Sequence, residues 1–142
     1  MDIQATKTDL QHIAGLRTLF LQEYPVQFVH NKCHLYGWAD TYLFTADGQP
    51  AGYGSVWGSN KREDRDAMFE FYLLVPYRKM AAAFFAALRQ ASGIPFIECQ
   101  TNHPQLQALV FEHARNIHAE AILFEDQYQT SFSLDDTHFE KE

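Results

Sequence analysis

The stretch Leu73 to Ala83, LLVPYRKMAAA, carries residue types that together suit an anion. An apolar run meets Pro76, and the basic pair Arg78 and Lys79 then opens a segment rich in alanine. Backbone N–H groups at a helix start lack intrahelical partners and point outward, so such a start accepts a phosphate. Ala81, Ala82 and Ala83 let a bulky ligand come close to the backbone. The plain alternative is a helix start with two exposed basic side chains. Just upstream, Glu70 interrupts an apolar run. A carboxylate in apolar surroundings has a raised pKa and can take the proton that an alkylammonium, pKa ~10, must lose before it attacks a carbonyl. Tyr72 follows two residues on, on the same face of a strand, where it could orient the amine or a water. The alternatives are a structural carboxylate for Glu70 and a core tyrosine with a hydroxyl partner for Tyr72.

These residues need elements to position them. Asp2 to Ala5 reads as a short first strand. Thr8 and Gln11 match a capping box, and Leu10, Ile13, Leu16, Leu19 and Phe20 recur at helical spacing until Pro25. Val26 to Lys32 reads as a second short helix. Thr41–Thr45 and Ala51–Trp57 are strands joined by the Asp47-Gly48 turn, and Gly52 and Gly54 signal bulging or close backbone approach. Ala67 to Val75 is a central strand, with Phe69, Phe71, Leu73 and Val75 on one face and Met68, Glu70, Tyr72 and Leu74 on the other. Met80 to Gln90 is a helix ended by Ser92-Gly93, Phe96 to Gln100 is a strand, and a helix starts at Pro104. Ala119 to Phe124 and Thr130 to Leu134 are the last strand candidates. The order predicts one mixed α/β domain over residues 1–142, a meander followed by parallel crossovers.

This pattern resembles the GNAT superfamily of acyl-CoA-dependent N-acetyltransferases over roughly Thr8 to Phe124. The signature Arg/Gln-x-x-Gly-x-Gly/Ala corresponds here to Arg78-Lys79-Met80-Ala81-Ala82-Ala83. The resemblance implies a mainly antiparallel sheet of six to seven strands flanked by helices, with acetyl-CoA as cosubstrate. It implies that the Leu73-Leu74-Val75 backbone pairs with the pantetheine arm and that the amides from Arg78 to Ala83 cradle the pyrophosphate. Asn102 is the implied second contact, where the fourth and fifth strands splay. Glu70 matches the family's base, and a backbone N–H near Val75 would stabilise the oxyanion. The implied acceptor is a primary amine, on a small molecule or on a peptide or protein. An aromatic cleft of Tyr24, Tyr36, Trp38, Trp57 and Tyr72 would suit such a cation.

The chain departs from the family at Ala81 and Ala83, which replace glycines, and at Phe111, which replaces a tyrosine that protonates the leaving thiolate. Arg115-Asn116-Ile117 stands where a Gly-Phe pair is usual. His113 or Tyr128 could supply the missing proton. These departures support a second reading, a catalytically degenerate acyl-CoA-binding or regulatory module, such as one half of a tandem protein. A homodimer is another way to cover open strand edges.

Composition narrows the classes. The 142 residues include 18 acidic and 11 basic side chains, a net charge of −7, which argues against a nucleic-acid binder. The longest apolar run, Met80 to Leu88, is too short to span a membrane, and the start shows no basic-then-apolar leader pattern. Cys33 and Cys99 cannot build a disulfide framework and fit a cytoplasmic protein with reduced thiols. His12, His30, His34, His103, His113, His118 and His138 form no HExxH motif, and no metal is expected. Gly54-Ser55-Val56-Trp57-Gly58 lies in a hairpin strand rather than at a strand-to-helix elbow, which argues against a nucleophilic hydrolase.

Overall fold

A computed structural model describes residues 1–26 and 29–117. The strands β1 (Ile3–Thr8), β2 (Ala39–Ala46), β3 (Gln49–Trp57), β4 (Ala67–Leu73) and β5 (Phe96–Ile97) form one sheet in sequence order. β1 to β4 are antiparallel, and β5 joins β4 in parallel. The helices are α1 (Leu10–Glu23), α2 (Val29–Leu35), α3 (Ala81–Ser92) and α4 (Pro104–His113). The fold class is therefore the expected mixed one, with five strands among the described residues rather than six or seven. The candidates Ala119–Phe124 and Thr130–Leu134, and with them Tyr128, His118 and His138, lie outside the described residues. No described helix is long and apolar enough to cross a membrane.

The β2–β3 turn follows from its sequence. Asp47 (φ 49°) and Gly48 (φ 81°) both take the left-handed conformation of a two-residue hairpin turn, which Gly and Asp tolerate. α1 is capped by Asp9 rather than Thr8: its carboxylate accepts the His12 N–H, while Thr8 closes β1. α2 begins at Val29, three residues later than expected.

Both faces of the sheet are covered. Phe44, Met68, Phe71 and Leu73 pack with Phe84 and Leu88 of α3 and Leu106 and Leu109 of α4. On the other face Tyr53 and Tyr72 pack with Ile13 and Phe20 of α1. The expected alternation of β4 breaks at a bulge. Ser55 pairs with Glu70 and Val56 with Met68, leaving Phe69 as the extra residue. Met68 therefore joins Phe71 and Leu73, whereas Phe69 lies against the His30 and His34 rings with Glu70. β4 also ends at Leu73, two residues early, and Val75–Met80 forms a 3₁₀ turn that leads into α3. β5 is two residues long instead of five, extended by the Phe96 N–H to the Asp66 carbonyl and the Glu98 N–H to the Met68 carbonyl.

Candidate functional site

β4 delivers Glu70 to the face beneath α1 and α2, where the side chain has no exposure to solvent. Its carboxylate receives five hydrogen-bond contacts. Arg17 donates from Nε (3.3 Å) and Nη2 (3.0 Å), His30 from Nδ1 (3.0 Å), His34 from Nε2 (2.9 Å) and the Tyr53 hydroxyl at 2.8 Å. An ionised carboxylate only accepts, so each ring nitrogen that faces it carries a proton. Burial alone would raise its pKa. The bonds from His30 and His34 and the charge on Arg17 outweigh burial and hold Glu70 well below the usual carboxylate range. The raised pKa expected from sequence is thus reversed, because partners replace the lost water. Burial and the Glu70 charge together push the Tyr53 phenol well above its ordinary value.

Arg17, His30, His34 and Tyr53 escape the sequence reading. The signals were present: Arg17 stands four residues after Ile13 and three before Phe20, on the buried stripe of α1. His30 and His34 stand four apart, so α2 turns both toward one partner. The carboxylate engages the guanidinium fork through both oxygens, an arrangement that repels a cation. Among the described residues no group of three or more ligating side chains could hold a metal ion.

Tyr72 shares the face of Glu70 but not its network. Its hydroxyl donates to Glu23 Oε1 at 3.1 Å. Burial first, and Glu23 second, raise its pKa. Glu23 also takes Arg78 in a bidentate pair, Nη1 to Oε2 at 2.8 Å and Nη2 to Oε1 at 2.7 Å, while Arg78 Nε donates to the Leu73 carbonyl at 2.8 Å. Arg78 thus turns toward α1, not toward the start of α3. The Ala81 N–H donates to the Arg78 carbonyl, so the 3₁₀ turn uses one of the amides expected to face a phosphate. Lys79, Ala82 and Ala83 are exposed, whereas Met80 and Ala81 lean on the core. Val75 is exposed in the 3₁₀ turn, Leu74 packs beside Tyr72, and the Leu74 N–H donates to the Ala51 carbonyl.

β4 and β5 pair only at Ala67–Phe96 and Met68–Ile97 and then separate. Side chains from the start of α4 fill the freed edge. The Phe71 N–H donates to His103 Nε2 at 3.2 Å, and the Leu73 N–H to Gln105 Oε1 at 2.9 Å. Burial lowers the pKa of His103 to about 4, so its ring is neutral and the proton sits on Nδ1. Among the described residues, neither that Nδ1 nor Asn102 Oδ1, both buried, has a hydrogen-bond partner. A donor and an acceptor are therefore unmet beside the splay, which fits an arm bearing amide groups. Asn102 lies in the turn before α4 and donates from Nδ2 to the Pro25 carbonyl.

The expected aromatic cleft divides in two. Tyr24 and Tyr72 meet at 6.4 Å beside Phe20 and His103. Tyr36, Trp38 and Trp57 form a separate group, with the Arg62 guanidinium 3.9 Å from the Trp38 ring centre and 5.6 Å from that of Trp57. Phe111 is 73% exposed on α4, and His113 packs on Phe85.

No protein-family model matches the sequence, and no curated protein matches it. Solved structures resemble it in fold. A ribosomal-protein-alanine N-acetyltransferase from Brucella melitensis biovar Abortus 2308 superposes with a TM-score of 0.62 at 11% identity, over 87% of this chain and 99% of that one. A predicted acetyltransferase from Clostridium acetobutylicum, solved with acetyl-CoA, gives 0.55 at 9% identity, over 87% and 96%. The chain shares the fold of these solved acetyltransferases, the GNAT fold that its sequence resemblance implies.

Proposed function

We propose that this chain binds an acyl-CoA, acetyl-CoA first, and transfers the acyl group to a primary amine of a small molecule, peptide or protein. The carrying observation is the β4–β5 splay, which leaves the Phe71 and Leu73 N–H groups to side chains and Asn102 Oδ1 and His103 Nδ1 to no partner among the described residues. In this reading Leu73, Leu74 and Val75 line the arm, Asn102 is the second contact, and Arg78, Lys79, Met80, Ala81, Ala82 and Ala83 lie at the phosphate end. The amine nitrogen attacks the thioester carbonyl, the C–N bond forms and the C–S bond breaks. The thiolate leaves unprotonated, as a thiol pKa of ~8.5 permits, so the exposed Phe111 is no obstacle. Glu70 serves as a positioning residue that holds His30 and His34, and one of these imidazoles takes the amine proton. Tyr72 and Tyr24 flank the amine.

Calorimetric titration of the whole chain with acetyl-CoA tests the reading, with ATP as control. Micromolar binding, weakened by Lys79→Ala, supports it, and its absence in a folded protein removes it. The second reading, an acyl-CoA-binding module without transferase activity, draws on the engagement of Arg78 by Glu23. Binding without turnover across an amine screen would select it.

A further inference from the structure

Three consecutive residues at the end of α1 hold three side chains around the mouth of the splay. Glu23 takes the Arg78 fork, the Tyr24 hydroxyl accepts from Gln105 Nε2 at 2.9 Å, and the Pro25 carbonyl accepts from Asn102 Nδ2 at 2.6 Å. Gln105 spans from Tyr24 to the Leu73 N–H on β4. Its side-chain amide thus offers β4 what a neighbouring peptide group would offer, a carbonyl oxygen at hydrogen-bond distance. The Leu73 N–H has one hydrogen, so an amide-bearing arm that adds to β4 at this position must first displace Gln105.

We propose that Glu23, Tyr24 and Pro25 form an autoinhibitory clasp that keeps Gln105 on the Leu73 amide and holds the acyl-CoA cleft shut in the free protein. The inference rests on the acyl-CoA reading above and adds its regulation. A second observation points the same way. Among the described residues the closed form leaves Asn102 Oδ1 and His103 Nδ1 buried and unmet, which disfavours it, whereas an open, liganded cleft can meet both. Ligand then binds the open form, and its apparent affinity falls by the fraction of molecules that are open.

The test is calorimetric titration of the full chain with coenzyme A, comparing wild type, Gln105→Ala, Tyr24→Phe and the double variant. Amide hydrogen exchange at Leu73 is followed in each free protein. Gln105→Ala removes two hydrogen bonds from the closed form, so binding should tighten about tenfold and Leu73 exchange should accelerate. Tyr24→Phe keeps the glutamine but loosens it, and binding should tighten about threefold. The double variant should bind no more tightly than Gln105→Ala alone, because both changes release one contact. If wild type binds coenzyme A and neither single variant binds more tightly, the clasp is wrong and the acyl-CoA reading stands. If no variant binds while Leu73 exchange still accelerates in Gln105→Ala, the acyl-CoA reading falls, and the clasp with it. Tyr24→Phe covers the case in which Gln105→Ala fails to fold.

Discussion

Replacing Glu70 with glutamine removes the charge that Arg17, His30 and His34 face in the core. Breaking one side of a buried pair leaves the other charge uncompensated, so Glu70→Gln should lose about 3–5 kcal/mol in chemical denaturation. In transfer assays, a folded Glu70→Gln preparation should show a shifted pH profile and a lower kcat with little change in KM, the pattern of a residue that positions the base. Acid denaturation should show two windows. His103 falls from 6.5 to about 4 on folding, so the unfolded chain binds the extra proton between those values. Stability due to His103 is therefore full above about pH 6.5 and lost as pH falls toward 4, about 3 kcal/mol at most. Glu70, also lowered, contributes stability above its unfolded value of 4.5 that is lost only as pH falls through its much lower folded value. His103→Gln should flatten the first window in urea titrations across pH and leave the second. At this scale the sequence pointed to Glu70 but not to its partners, because the contacts join residues 17, 30, 34, 53 and 70 across four elements.

Between elements, the tight approach of β3 to β4 is set by glycine. A Cβ at Gly52 would lie 2.0 Å from the Tyr72 carbonyl oxygen, a backbone atom that cannot yield without moving β4. Gly52→Ala should cost about 1–3 kcal/mol and shift the Leu73 end of β4, whereas Gly15→Ala, which meets nothing within 4 Å, should leave stability equal or slightly higher. Thermal melts of the two variants give the comparison. The β2–β3 hairpin, α1 and the helix after Arg78 were legible because turn chemistry and apolar period are local signals. The Phe69 bulge was not, since it shows only in pairing with β3. It also exposes the limit of reading faces by strict alternation: Met68 and Phe69 each lie opposite to the expected side. The brevity of β5 has a similar origin, because the competitors for the edge of β4, His103 and Gln105, come from the following helix.

Across the whole molecule, ligand binding and folding are linked. A hundredfold excess of acetyl-CoA over its Kd should add about 2.7 kcal/mol and raise Tm by several degrees, measurable by calorimetry. The overall class was legible because element order alone restricts the topologies, and the solved GNAT structures share it at 11% and 9% identity. The closed state of the cleft was not legible, because it depends on how the end of α1 meets the start of α4. The same layout decides what an optical probe can see. Trp38 and Trp57, the two tryptophans of the chain, stand around Arg62 at one end of β3. The clasp reaches β4 opposite Gly52, five residues and roughly 16 Å away along β3. Trp57 touches the cleft only at its paired end, through its Nε1 bond to Glu98, so tryptophan emission should change far less as coenzyme A is added than when the sheet itself melts. The protein thus carries a reporter weighted toward unfolding, and opening at the Leu73 end is better followed through the tyrosines.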